Sequence, residues 1–155
     1  MSAPTVGPAP TPSARLPPLV DHLRVHSVRT DGPFTLRSGA VSDWYIDARQ
    51  TTFDGAGARL VGEAVLAALE PDVAACGGLT MGADPVAVAA AVVAAGSGRQ
   101  LRAFSVRQAA KDHGTGGRLV GPVRRGDPVA LLDDPVTTGG ALLEALPVVR
   151  AEGLV

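Results

Sequence analysis

Val129-Ala130-Leu131-Leu132-Asp133-Asp134-Pro135-Val136-Thr137-Thr138-Gly139-Gly140-Ala141 is the stretch on which the fold turns. Its four leading apolar residues run without alternation, the pattern of a strand covered on both faces, as in a parallel sheet. Two acids sit at the carboxyl end of that strand. A loop of small residues then leads into an apolar-periodic run to about Arg150 that reads as a helix. Small residues let backbone N–H groups come close to an anion, and a helix N-terminus adds a favourable dipole, so the loop has the make-up of a phosphate cradle. Adjacent carboxylates beside such a cradle suit ribose hydroxyls or a hydrated magnesium rather than the phosphate itself. The loop is not a Walker loop, since no Gly-x4-Gly-Lys occurs in the chain. Gly55-Ala-Gly57-Ala-Arg-Leu60 lacks the third glycine of a dinucleotide fingerprint.

The same strand–loop–helix unit recurs on the N-terminal side. Val73-Ala-Ala-Cys76 reads as a buried strand breaking into a tight loop at Gly77-Gly78, and Asp84-Pro85 opens an alanine- and valine-rich helix to Ala95. Leu101 to Val106 is a second buried strand, followed by a polar, glycine-rich loop from Gln108 to Gly121; Asp127-Pro128 turns the chain into the Val129 strand. Further upstream, Leu19, Leu23 and Val28 suggest a short amphipathic helix with Asp21 near its start. Phe34 to Asp47 reads as two short strands around the Ser38-Gly39 turn, and Asp54 precedes a helix to Leu69 that Pro71 ends. Repeated units with short connections imply right-handed crossovers and an α/β fold with a parallel sheet flanked by helices. Ligands in such sheets bind at the carboxyl ends of the strands, where all three glycine-rich loops fall.

Composition narrows the function classes. The 155 residues carry 14 Lys+Arg against 15 Asp+Glu, a formal charge of -1, which argues against retention on nucleic acid by bulk charge. Aromatics at 3% leave no stacking platform, and the single cysteine, Cys76, excludes an intramolecular disulfide or a multi-cysteine metal site. The longest apolar run, Val86 to Ala95, is too short to span a bilayer, so a cytoplasmic protein without a membrane partner is expected. Six of the 13 prolines fall within residues 1–18, which are expected to form a disordered tail without signal-peptide character; residues 19–155 then make one domain.

A second string carries chemistry: Val106-Arg107-Gln108-Ala-Ala-Lys111-Asp112-His113-Gly114-Thr-Gly116-Gly117-Arg118-Leu119. Basic groups on a loop rich in glycine have the mobility a lid needs and the charge to neutralise a departing polyanion. The Asp133-Asp134 stretch resembles the phosphoribosyl-diphosphate motif of type I phosphoribosyltransferases, and the Arg-x-x-x-Lys-x-His-Gly string is similar to the catalytic loop of the orotate phosphoribosyltransferase family. Phe34-Thr-Leu-Arg37-Ser38-Gly39 with Ser42-Asp-Trp44-Tyr45-Ile-Asp47 resembles that family's N-terminal hood, and Gly77 to Pro85 its first phosphate-side loop; the likeness covers roughly Leu19 to the end.

The resemblance implies an enzyme of pyrimidine (UMP) synthesis that displaces diphosphate from phosphoribosyl diphosphate with orotate, giving orotidine 5'-phosphate. Asp133 and Asp134 would hold the ribose hydroxyls. Pro135, Val136, Thr137, Thr138, Gly139, Gly140 and Ala141 would form the phosphate loop, with Thr137 also near orotate. Lys111 and His113 would close over the diphosphate from the other subunit of a homodimer. Arg107 and Gln108 would lie beside the diphosphate, and Arg37 and Tyr45 would lie on the base side. Magnesium would bridge the diphosphate oxygens rather than sit in a protein ligand set.

The sequence also departs from the family. Gln108 replaces a second basic residue, Gly82 stands where many members carry a lysine, Arg37 stands for a lysine, and Pro135 removes one N–H at the cradle's entrance. Gly153-Leu154-Val155 reads like the start of another core strand, where family members continue to an arginine that contacts orotate. The expectation is therefore a truncated copy with its last core strands missing, an exposed apolar sheet edge and weak orotate binding. The alternatives are a phosphoribosyltransferase for another base, against which the Lys111–His113 loop argues, and a non-catalytic phosphoribosyl-diphosphate-binding relative. Among single residues, His22 and His26 read as surface histidines rather than metal ligands, and Cys76 as an inert core thiol. Trp44 and Tyr45 divide between packing and base contact.

Overall fold

A computed structural model describes residues 17–36, 38–111 and 117–155, with the side chains of Pro17 and Lys111 excepted. Residues 1–16 of the tail expected over 1–18, with Arg37 and His113, therefore lie outside the described residues, whereas Pro17 and Pro18 open a helix and do not belong to a tail. Helix α1 (Pro17–His26) leads into a small hood of two antiparallel ribbons. Strand β1 (Val28–Arg29) pairs with β4 (Tyr45–Ile46), and β2 (Phe34–Thr35) pairs with β3 (Val41–Ser42) across the Ser38-Gly39 turn. The hood thus holds one ribbon more than the two strands read from the sequence. A two-residue strand such as β1 is too short to show a period and is fixed only by its partner.

Helix α2 (Arg49–Thr52) is a single turn that the sequence reading did not resolve. Helix α3 (Gly55–Ala68) starts as expected: Asp54 is its N-cap and accepts from the Gly57 N–H at 2.8 Å. Strand β5 (Ala75–Leu79) is followed by helix α4 (Ala83–Gly96) and strand β6 (Arg102–Lys111). Strand β7 (Gly117–Val120), strand β8 (Val129–Leu131) and helix α5 (Gly140–Ala151) complete the chain. The main sheet has the order β7-β6-β5-β8, with β5 parallel to both β6 and β8 and β7 antiparallel to β6.

Alternate side chains of β5 supply two cores, as the pleat requires. Ala75 joins Phe104, Val106, Ala145, Val149 and Leu154 under α5, whereas Cys76 joins Ala87, Ala90, Ala94 and Leu101 under α4. Both faces are covered, which is why the strand sequences read as unbroken apolar runs.

Two expectations need correcting. Gly77 and Gly78 lie inside β5 and do not form a loop. A Cβ on Gly77 would fall 2.7 Å from the Phe104 carbonyl carbon, and one on Gly78 would fall 2.8 Å from the Ala83 Cβ, so the glycines admit close neighbours within a strand. The stretch from Gln108 is likewise not all loop. Strand β6 continues to Lys111 and pairs with β7 in a hairpin whose register is interrupted between Val106 and Lys111. The polar composition hid a ribbon whose ladder, not its side chains, defines it. The closing residues Gly153 to Val155 adopt no strand, although Val155 exchanges backbone hydrogen bonds with Asp127 and Val129 along the margin of β8.

Candidate active site

A cavity of about 830 Å³ opens at the carboxyl end of the sheet, where the topology predicts a ligand. Leu79 contributes from the end of β5, Gln108 from β6 and Ser38 from the hood turn. Asp133, Asp134 and Pro135 come from the end of β8, Thr137, Thr138, Gly139, Gly140 and Ala141 from the cradle, and Glu144 from α5. The cradle forms because Gly139 takes a left-handed conformation (φ 75°, ψ 8°) that turns the chain into α5, a conformation that glycine adopts without steric cost. The first N–H groups of α5 have no intrahelical acceptor and face the end of the helix where the dipole is positive.

The acid pair is held from two sides. The Asp134 N–H donates to Asp133 Oδ1 at 3.2 Å. Behind it, Gly82 brings the loop between β5 and α4 so close that a Cβ there would lie 3.0 Å from Asp134 Cγ and 3.4 Å from Asp133 Oδ1. The loop itself is tied by Thr80 Oγ1 donating to Asp84 Oδ2 at 2.5 Å. Burial pushes the Asp134 carboxyl above the usual carboxylate range, and the adjacent Asp133 charge adds to this; Arg49 opposes it, and Asp47 reinforces it. Asp47 is held low by the hydrogen bond from Arg49 Nε, 2.7 Å away. Among its described lining residues the cavity carries three carboxylates, Asp133, Asp134 and Glu144, and no lysine or arginine.

Of the residues singled out from sequence, Gln108, Asp133, Asp134, Pro135 and Thr137 through Ala141 converge on this one cavity. Val136 is exposed and does not line it. Tyr45 sits on the hood, 39% exposed, with its ring 5.8 Å from that of Phe34, and it does not line the cavity either. Arg107 is in β6, outside the lining, and its carbonyl accepts from Arg118. Lys111 ends β6, with its side chain outside the described residues, as are Arg37 and His113. Cys76 is fully buried, and burial pushes its thiol up to about 11.

Sequence reasoning missed Glu144 and the Arg49–Asp47 pair, and it noted Gly82 only for an absent lysine, not for its place behind Asp134. Glu144 had a signal, because a residue one turn into a helix projects back over that helix's N-terminus. How Gly82 and the Arg49–Asp47 pair act on Asp134 is set by the approach of segments far apart in sequence. His22 corrects another reading: it is not a surface histidine. Its side chain is only 13% exposed, with Nδ1 3.2 Å from Thr51 Oγ1 and Nε2 3.1 Å from Asp54 Oδ2. Among the described residues no three His, Cys, Asp or Glu side chains group to hold a metal ion. The hard oxygens of the acid pair fit a hydrated divalent ion held mainly by a substrate. No described helix is long and apolar enough to cross a membrane.

Comparisons with known proteins bear on the family, although no family model matches the chain. The orotate phosphoribosyltransferase of Streptomyces avermitilis is 49% identical over 123 residues, covering 79% of this chain and 68% of the relative. The crystal structure of the Mycobacterium tuberculosis H37Rv orotate phosphoribosyltransferase in complex with Fe(III) dicitrate superposes with a TM-score of 0.75 at 37% identity, covering 88% of this chain and 78% of that one. The same M. tuberculosis enzyme in complex with 5-phospho-alpha-D-ribosyl 1-diphosphate gives 0.68 at 30% identity, over 88% and 76%. An acid pair, a threonine–glycine cradle and a hood set around one cavity therefore coincide with sequence likeness along most of the chain, and the chain belongs to the orotate phosphoribosyltransferase family, with its type I phosphoribosyltransferase fold.

Proposed function

We propose that phosphoribosyl diphosphate and orotate meet in this cavity and that residues lining it work together with others of the hood and the hairpin, as follows. The N–H groups and hydroxyls from Thr137 to Ala141 bind the 5-phosphate at the start of α5. Asp133 and Asp134 accept hydrogen bonds from the ribose hydroxyls. The hood, with Arg37 and Tyr45, closes the base side, and Thr137 reaches orotate from below. The bond from ribose C1 to the diphosphate oxygen breaks as the orotate nitrogen bonds to C1. Diphosphate leaves with the bonding pair, and the nitrogen's proton passes to solvent. Lys111 and His113, brought by the lid of a partner subunit in a homodimer, balance the charge on the leaving group together with Arg107. Magnesium, held by the diphosphate oxygens with Asp133 and Asp134 nearby, would supply further charge neutralisation when bound. The setting in this proposal is cytoplasmic.

The observation that carries the proposal is that one cavity gathers the acid pair and the cradle on either side of a left-handed Gly139. The test is the loss of orotate absorbance when the purified chain is mixed with orotate, phosphoribosyl diphosphate and magnesium. Turnover that disappears in Lys111→Ala is the expected result. A folded sample that binds phosphoribosyl diphosphate without turnover would instead make the chain a binding protein.

A further inference from the structure

The described part of the cavity lining is acidic. A site for a phosphate ester is walled, among its described residues, by three carboxylates and no cation. Two of the acids have a use on the ribose. Glu144 has none, and its place is awkward. It lies one turn into α5, so its side chain projects back over the first turn, whose N–H groups form the cradle. An unbalanced carboxylate there would repel the anion that the cradle binds.

The structure supplies the balance from behind Glu144, outside the cavity lining. Arg118, on β7, places NH2 2.8 Å from Glu144 Oε1. Its Nε donates to the Arg107 carbonyl at 2.7 Å, which fixes the guanidinium against the hairpin. The pair is only partly withdrawn from water, with the two side chains 26% and 49% exposed. A guanidinium has five N–H donors in a planar fork, and these two bonds use two of them. A planar fork of this kind can present its further donors to a second oxyanion at the same place.

We propose that Arg118 is a positioning residue for the phosphate cradle. It neutralises Glu144 in the empty protein and, when a phosphate group arrives at the start of α5, it is shared between that group and Glu144. Glu144 thereby sets how strongly the cradle holds phosphate: it competes for Arg118 and weakens binding so that a phosphorylated product can leave. The inference rests on the cradle being an anion site.

The test is calorimetric titration with inorganic phosphate, which needs no turnover and no second substrate. Arg118→Gln should weaken phosphate about 3-fold or more, and Glu144→Gln should tighten it by a similar factor, magnitudes appropriate to a partly exposed pair. Arg118→Lys, which keeps the charge but not the fork, should stay near the wild-type value. Opposite signs for the two single variants are the diagnostic result. If the pair merely clamps β7 to α5, both variants would lower affinity together, and that outcome, or no change in either, overturns the inference while leaving the cradle standing. Absence of phosphate binding by the wild-type chain would overturn both. Unfolding curves on each variant show that the comparison is made between folded proteins.

Discussion

Gly82 faces Asp134 so closely that the loop backbone, not another side chain, backs the carboxylate: a Cβ at position 82 would lie 3.0 Å from Asp134 Cγ. Gly82 has ordinary helical torsions (φ -59°, ψ -45°), so alanine there carries no backbone strain and acts by contact alone. Gly82→Ala should push the Asp134 side chain out of its place. The expected outcome is a protein of near-normal stability whose kcat/KM for phosphoribosyl diphosphate falls by about 10-fold or more, in keeping with the sensitivity of reacting geometry to small displacements. Steady-state kinetics beside a thermal unfolding curve separate the two effects.

The acids of the chain respond to pH with opposite signs. Burial raises Asp134 above its usual value of 3.8, so the folded state holds this proton more tightly than the unfolded state does. Its contribution to stability is greatest in acid and declines as pH rises through the raised value. Asp134→Asn should therefore stabilise the empty protein at pH 7 relative to wild type, with the gain fading as pH falls through the raised value and gone below pH 3.8, while ribose binding is lost. Asp127 behaves in reverse, since the hydrogen bond from Arg102 at 2.9 Å lowers it. Asp127→Asn should destabilise at pH 7 and converge on wild type as pH falls through the lowered value. Urea titrations across pH read both slopes.

A buried hydrogen-bond chain anchors the hood. Ser27 Oγ lies 2.6 Å from Thr51 Oγ1, which lies 3.2 Å from His22 Nδ1, and both hydroxyl residues are essentially inaccessible. Thr51→Val keeps the shape of the side chain but strands two buried partners, with an expected loss of about 1–3 kcal/mol. The urea midpoint should drop with the slope unchanged. Ser27→Ala added to Thr51→Val should recover part of the loss.

Cys76 offers a clean probe of integrity. With no exposed surface and a thiol pushed up to about 11 by burial, it should resist a thiol reagent at pH 8 in the folded protein and react fully in denaturant. Rapid modification under native conditions would show that the α4 face of the sheet opens.

How much of this was legible in the sequence depends on the range over which each feature is determined. The acid pair, the cradle and the caps at Asp54 and Gly139 are local: strand, loop and helix follow one another within a dozen residues, and their chemistry is written in the order of side chains. Asp54 shows this well, as its side chain caps the helix it immediately precedes. His22 shows the opposite. Its partners Thr51 and Asp54 are 29 and 32 residues away, and nothing in the Leu19–Val28 pattern announces them. Arg118 and Glu144 stand 26 residues apart, so each reads alone as a solvated charge. The β6–β7 hairpin reads as loop because backbone pairing defines it and its residues are polar.

Gly77 is the position where sequence intuition and structure diverge most, and it gives the sharpest stability test. A glycine pair after an apolar run suggests a turn, yet Gly77 is paired on both sides, with Phe104 of β6 and Leu131 of β8. Its missing side chain is what lets Phe104 lie across β5: a Cβ would sit 2.7 Å from both the Phe104 carbonyl carbon and its Cδ2. A central strand cannot move away from one neighbour without breaking its ladder with the other, so Gly77→Ala has no inexpensive relaxation. The expected cost is about 3 kcal/mol, at the upper end for overpacking. Because β5 also delivers Leu79 to the cavity, phosphoribosyl-diphosphate affinity should fall with it. Gly96, at the end of α4, is the control. A Cβ there meets nothing within 4 Å, and Gly96→Ala should raise stability by about 0.5–1 kcal/mol through helix propensity alone. Equal effects of the two substitutions in a denaturant titration would show that close approach to Phe104 is not what requires glycine at position 77.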